Sequence, residues 1–474
     1  MAAKPRPQRV RDPVHNLIEF GTDQFEEVMW RVIQTPPFQR LRRIKQLGFS
    51  DLVYPGATHT RFAHCIGVFH TARQLMRIIQ RELGARQFQF QDHQAQVALA
   101  AALVHDLGHG MFSHAFEDVG KTMGLEMAHH ESVSDRLIRD SEVSDVFKEL
   151  GSGFANDVAN VIQSGRPGNL YNAVVSSQFD ADRLDYMQRD RLLTGVQNSA
   201  IDFTWLMSNL EIATVGGGVD TDSLGDAIDT FVIGPKAVSA AETYVLALFQ
   251  LYPTVYFHKT TRGIEKMFSA SMSRVLELAR NDNSDRTGLP GGHPLVEFAT
   301  HADSLDHALA LDDTVFWGSL PLLAHADDAL IRDLALRLRE RRLLRCIDLR
   351  ERLLAAWPSG RAEAAKKLER PCERVAEILQ SWSAEKSTTS PRILIDHAER
   401  DPYRRLQESK GPLNQIRTRT ANGDILDLAE FSATVAAIEK FHLFRAYIDR
   451  DDTEAMTIIE QTIEQVTRSN HHDE

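Results

Sequence analysis

Val97-Ala-Leu-Ala-Ala-Ala-Leu-Val104 runs directly into His105-Asp106-Leu-Gly-His109-Gly-Met-Phe-Ser-His114-Ala-Phe-Glu117-Asp118. The first eight residues carry no Gly, Pro or charge, so their composition predicts a buried helix. At its C-terminal end three histidines and three carboxylates crowd together. Such side chains are costly to bury alone, so the cluster needs a metal ion, mutual pairing or solvent. Adjacent His105 and Asp106 pair a neutral nitrogen with an anionic oxygen, a ligand set that Fe, Mn or Zn accepts. His109 lies on the same face if the helix continues, although Gly108 and Gly110 predict that it loosens there. The dipeptide alone proves little, since His472-Asp473 repeats it in a polar tail that reads as a solvated end.

The 474-residue chain is 43% hydrophobic, enough for a large core. Its formal charge of -12 argues against a general binder of nucleic acid or anionic membranes, while leaving a local basic patch open. Cys65, Cys346 and Cys372 are far apart and lack metal-ligand spacing, which favours a reducing compartment. No apolar run reaches membrane-spanning length, and the N-terminus lacks an apolar signal core. The expectation is a soluble, cytoplasmic protein with no membrane partner.

Arg9 to Phe20 reads as a short extended segment, and Gln24 to Gln46 as helix broken at Thr35-Pro36-Pro37. From Phe62, apolar residues recur at helical spacing with Arg73, Arg77 and Arg81 outward and His64 in the first turn. A loop is expected around Lys121–Gly124, then a helix carrying Val133, Leu137 and Ile138. Ile212–Val215 and Thr230–Ile233 predict a small sheet, and helices resume to about Trp382. Beyond the Ser/Thr-rich stretch before Pro391 come strands near 393–395, 415–418 and 424–428, with a hairpin signal at Asn422-Gly423. Phe431–Phe444 reads as a closing helix. The fold class is therefore mainly α: a large helical core over 1–385 with a small β element, and an α+β appendix over 386–474.

His64, the His105-Asp106 pair and Asp182 would together form a site balanced in nitrogens and oxygens, with His109, Glu117 and His130 flanking it. Spacing alone does not choose between Asp182 and Asp180. Arg61 and Arg183 could hold phosphate oxygens. Tyr186 and Asp190 follow Asp182 by one and two turns, placed for a sugar and base. His59 and His70 read as ordinary, partly exposed histidines, and Asp185 with Arg189 as a helix-surface pair. Arg339 to Arg345 reads as a solvated basic helix face.

These residues resemble the HD-domain phosphohydrolases, most closely the deoxynucleoside-triphosphate triphosphohydrolases, which include bacterial dGTPase-like enzymes and animal dNTP-degrading restriction factors. The matching segments occur in order. They are Asp12-Pro13-Val-His15, Thr35-Pro-Pro-Phe-Gln39-Arg-Leu-Arg42-Arg-Ile-Lys-Gln46-Leu-Gly48, Tyr54-Pro-Gly-Ala57 and Arg61-Phe-Ala-His64. After them come His105 to His114, His130-Glu131, Asp180-Ala-Asp-Arg-Leu-Asp-Tyr186 and Tyr256-Phe-His258-Lys259. The resemblance implies a divalent metal (Fe, Mn, Zn or Mg) held by His64, His105, Asp106 and Asp182. It implies His109 and His130 at the scissile phosphate, with His130 as general acid held by Glu117, where animal members have Asp. Arg61, His114, Arg183, Tyr186, Asp190 and Lys259 fall on substrate-contacting positions, and Gln46 and Tyr256 on positions contacting the deoxyribose and base. The implied reaction is attack of activated water on the α-phosphorus of a dNTP, with triphosphate leaving.

Two departures qualify the match. A phosphate-binding arginine of the family is Leu248 here, and an acidic residue that reads a guanine activator is Gln34. Arg42, Arg341 and Arg345 still match residues that cradle activator phosphates, so the resemblance implies a nucleotide-sensitive homo-oligomer, a dimer or tetramer. Leu248 keeps a second substrate class open: a nucleic-acid end, another nucleotide or another phosphate ester.

Overall fold

The computed structural model describes residues 6–165, 167–197, 200–216, 227–357, 367–386, 391–404, 413 and 415–470. It is mainly helical, with three small sheets among the described residues. The chain divides into two compact units, one of Met1–Tyr256, Asp303–Asp313 and Pro402–Glu439, the other of Phe257–Ala302, Thr314–Asp401 and Lys440–Glu474. Residues after 385 thus contribute to both.

The first unit opens with a hairpin, β1 (Gln8–Asp12) and β2 (Asn16–Phe20), paired antiparallel. The Arg9–Phe20 segment folds back because Asp12 Oδ1 accepts the N–H groups of Val14 and His15 at 2.9 Å each, closing an Asx turn. Helices α1 (Gln24–Gln34) and α2 (Pro36–Arg40) meet at Thr35, as the two prolines predict. Then come α3 (Arg61–Ala85), α4 (Asp92–Val104), α5 (His114–Met123), α6 (His130–Arg139), α7 (Glu142–Phe147), α8 (Phe154–Ser164), α9 (Ala181–Thr194) and α10 (Phe203–Ser208). The loop expected at Lys121 begins only at Gly124, whose left-handed backbone caps α5. The predicted small sheet is present as β3 (Leu210–Val215) and β4 (Ile228–Ile233), and β4 continues parallel to Arg417–Arg419, which pairs with Ile425–Asp427. Helix α11 (Val238–Leu251) follows. Val68, Ala72 and Leu75 of α3, Ala98 and Ala102 of α4, and Leu184 and Met187 of α9 share one buried apolar cluster.

In the second unit the long helix Lys259–Arg280 buries Ile264, Phe268, Met272 and Val275. A three-stranded antiparallel sheet has Phe441–Ile448 at its centre, flanked by Arg345–Asp348 and Ile393–Arg400. Phe441–Phe444, expected as helix, is therefore strand. Its aromatic and aliphatic run is buried between two hydrogen-bonded neighbours, which outweighs its helical spacing. The basic helix face expected over Arg339–Arg345 also fails: the helix ends at Glu340, Arg341 turns left-handed at φ 54° and Arg345 opens the strand. A helix missed in the sequence, Thr453–Asn470, joins Leu349–Ala356 and Glu369–Lys386 against this sheet through Ile459, Leu353 and Leu379. His472 and Asp473 lie outside the described residues. No described helix is long and apolar enough to cross a membrane.

Gly67 allows α3 and α9 to approach. A Cβ there would lie 2.0 Å from Asp185 Oδ1 and 2.3 Å from Arg189 Nη2. Both of those side chains are fully buried and cannot swing away. Gly67→Ala should destabilise the protein by about 1–3 kcal/mol, read as a lowered denaturant midpoint; an unchanged midpoint would show that the crossing is looser than described.

Candidate active site

The helix of the opening stretch ends at Val104, and the chain turns tightly, with Leu107 N–H on Val104 O at 3.1 Å and His109 N–H on Asp106 O at 3.2 Å. His105 and His109 thus do not share a helix face. Gly108 makes the turn fit: a Cβ would sit 2.2 Å from His130 O and 2.4 Å from Ser134 N. Buried Arg40 secures the same turn by donating to Leu107 O and His109 O.

Two other helix ends converge on the turn. His64 projects from the first turn of α3, and Asp182 from the first turn of α9. His64 Nε2 lies 3.0 Å from Asp182 Oδ1 and 3.8 Å from Asp106 Oδ2. His105 Nε2 lies 3.4 Å from Asp106 Oδ1 and 3.7 Å from Asp182 Oδ1. Asp180 points elsewhere: it caps α9 through Arg183 N–H and pairs with the Arg183 guanidinium. Between the two aspartates, only Asp182 faces both histidines.

The corner suits a divalent cation. His105 Nδ1 donates to Ala102 O at 3.0 Å, which leaves Nε2 buried, without a hydrogen bond, beside two carboxylates. A nitrogen lone pair sealed among anionic oxygens is an incomplete arrangement that a cation completes. His64, His105 and Asp106 each offer a donor atom within 4.8 Å of the others. In the metal-free chain, burial opposes charge on His64, but Asp182 and Asp185 outweigh it and push its pKa up to about 10.

Asp185 is not the surface group expected. It and Arg189 are fully buried, because α9 packs this face on α3 rather than toward solvent. Asp185 Oδ2 accepts from His64 Nδ1 at 2.8 Å, and Oδ1 accepts from His15 Nε2 at 2.7 Å. Arg189 donates to both Asp185 oxygens and to Asp12. His59 is likewise buried, its Nε2 2.8 Å from Asp190 Oδ1, whereas His70 is half-buried as expected. Asp12-Pro-Val-His15 and the three-residue step from Asp182 to Asp185 were the signals that could have revealed this layer.

A second group adjoins the corner. Glu117 accepts from His130 Nδ1 at 2.5 Å and from His114 Nδ1 at 3.0 Å, with His109 Nδ1 at 3.2 Å. Burial works against the Glu117 charge, yet these histidines hold its carboxyl well below the usual range. His109 and His130 stack with ring centroids 4.0 Å apart, and His109 Nε2 lies 3.3 Å from Asp106 Oδ1. Burial, Arg61 and His130 bring the His109 pKa down to about 3, so the ring is neutral. Arg61 pairs with Asp106 and donates to Ser113 Oγ at 2.8 Å.

The remaining expected residues spread more widely. Tyr186 and Tyr256 meet edge to face at 6.0 Å, and Tyr256 O–H donates to Asp190 Oδ2 at 2.8 Å. Asp190 thus has both oxygens engaged by protein groups. Gln46 is half-buried with Oε1 unpartnered, and Leu248 is buried in the core. Arg42 lies over the Phe62 ring, and Gln34 is exposed. Lys259 and Arg345 belong to the second unit. There they line a cavity of about 410 Å³ with Thr260, Leu344, Cys346 and Arg450. Arg341 is exposed in that unit and does not line the cavity.

A His/Asp corner at the meeting of three helix ends, with a histidine–carboxylate group beside it, defines an HD-domain phosphohydrolase, and the chain belongs to that family. The HD domain matches residues 61–187, and the HD associated region matches 223–289. The uncharacterized protein YwfO of Bacillus subtilis is 29% identical over 438 residues, covering 90% of this chain and 88% of that one. The deoxynucleoside triphosphate triphosphohydrolase SAMHD1 of Gallus gallus is 33% identical over 303 residues, covering 56% of this chain and 45% of its own. A solved phosphohydrolase from Bacteroides thetaiotaomicron superposes with a TM-score of 0.68 at 25% identity, over 94% of this chain and all of that one.

The His64 charge gives a stability signature. A folded pKa raised from 6.5 to about 10 means that its contribution is complete below pH 6.5 and is lost as pH rises through about 10. Chelator-treated protein should therefore melt at progressively lower temperature across that interval. His64→Gln should show a flatter profile, and identical profiles would remove the imidazolium from the account.

Proposed function

We propose that the chain is a metal-dependent phosphohydrolase that cleaves deoxynucleoside triphosphates to deoxynucleoside and triphosphate. The observation that carries this reading is the four-residue corner of His64, His105, Asp106 and Asp182, set against the Glu117–His130 pair. A divalent cation held by those four side chains supplies Lewis acidity toward a phosphoryl oxygen.

The other steps fall to the chain. Glu117 fixes His130 through Nδ1, so Nε2 is the atom that protonates the departing 5′-oxygen as water attacks the α-phosphorus. Neutral His109, stacked on His130, keeps that ring from rotating and can donate to a phosphate oxygen. Arg61, anchored by Asp106 and Ser113, adds a fixed positive charge at the same place. The Tyr186–Tyr256 edge, braced by Asp190 and His59, offers an aromatic wall for the nucleoside.

Metal-loaded protein given a panel of dNTPs and NTPs should release intact triphosphate. Asp106→Ala should abolish turnover, and His130→Asn should lower kcat by about 10²–10⁴-fold. Orthophosphate or pyrophosphate as the only product would reject the reading. A second substrate class is favoured by Leu248, which replaces a charged phosphate contact with a buried apolar side chain. Mononucleotides released from single-stranded DNA or RNA, with dNTPs untouched, would establish that class instead.

The reading extends to a nucleotide activator acting on a homo-oligomer. Lys259, Arg345 and Arg450 line the cavity of the second unit, and no carboxylate lines it among the described residues, which suits a polyphosphate. Arg345→Glu should abolish any dNTP-induced gain in mass measured by light scattering; an undiminished gain would place the activator elsewhere.

A further inference from the structure

We infer that Asp185 is a positioning residue for the cation, and that the N-terminal hairpin belongs to the metal centre because it clamps Asp185 in place. This rests on the metal-centre reading above and adds a layer to it. His64 has two ring nitrogens, and only Nε2 faces Asp106 and Asp182. The other, Nδ1, is held by Asp185 Oδ2 at 2.8 Å. An imidazole held at one nitrogen by a fixed acceptor has its ring plane, and the nitrogen offered to a cation, set in advance.

Asp185 is itself over-determined. Its Oδ1 receives His15 Nε2 at 2.7 Å and Arg189 Nη2 at 2.9 Å, and its Oδ2 receives Arg189 Nε at 2.8 Å. Arg189 is held in turn by Asp12 Oδ2 at 2.7 Å. Asp12 ends β1 and His15 lies in the turn of the hairpin, and the Asx turn at Asp12 makes that turn rigid. A segment far from the ligands in sequence thereby determines how one ligand is aimed. His105 reaches the same result more simply, through the Ala102 carbonyl of its own helix.

The test uses the full chain, stripped of metal by chelation and titrated with Mn²⁺ or Co²⁺ alone. Calorimetry gives Kd, and the visible absorption of the Co²⁺ form reports ligand geometry. Asp185→Asn should weaken Kd by about 10–100-fold. His15→Asn, which leaves the Arg189–Asp12 pair intact, should keep its melting temperature, weaken Kd by about tenfold and shift the Co²⁺ spectrum. If Asp185→Asn does not fold, His15→Asn decides alone. Wild-type protein that binds neither ion would bring down the metal-centre reading itself. Wild-type binding with unchanged Kd and spectrum in both variants would overturn only the role of Asp185. A change confined to Asp185→Asn would overturn the share given to the hairpin.

Discussion

A guanidinium taken wholly out of water persists only where its inward N–H groups meet acceptors and its charge meets anions. Arg189 meets that demand with Asp185 and Asp12, and nearly everything at the site follows from it. The pairing ties α9 to the hairpin, while the absence of a side chain at Gly67 lets α3 close over both. His64 and Asp182, one on each helix, come to face each other as a by-product of that closure. The corner is thus a consequence of a salt-linked helix crossing rather than of attraction among its own side chains, which at neutral pH would include repulsion between Asp106 and Asp182.

The sequence made some of this legible and hid the rest for physical reasons. The Ala/Leu/Val run ending in His105-Asp106 marked a buried helix with a polar terminus, because composition and breakers are local signals. His64 was placed in the first turn of α3 by the apolar spacing after Phe62. Asp185 and Arg189 stand four apart, the spacing of both an exposed ion pair and a buried one, and only the packing partner tells them apart. Phe441–Phe444, the start of the strand that runs to Ile448, reads as helix because a central strand buried on both faces loses the alternation that identifies strands. The turn after Val104 was foreshadowed by Gly108 and Gly110, but its cause, the backbone of α6 pressed against Gly108, lies beyond any local pattern.

The two polar groups divide the work by protonation. At the corner, carboxylates surround nitrogens and invite positive charge. In the adjoining group, one carboxylate serves three histidines, so its charge balances a proton held on any one of them. Asp106 links them, touching His105 on one side and His109 on the other. A phosphate ester set across that boundary would meet an electrophilic side and a proton-donating side at once, as hydrolysis at phosphorus requires.

The contact at Gly108 has a mechanical implication. The turn carrying Asp106 and the start of α6 carrying His130 meet closely at Gly108, where the Ser134 hydroxyl accepts the Gly108 N–H at 2.9 Å. Neither half can drift without dragging the other, so thermal motion displaces Asp106 and His130 in concert. Their mutual spacing is therefore kept by close backbone packing and one short buried hydrogen bond, and adaptation to a new substrate must come from the surrounding walls.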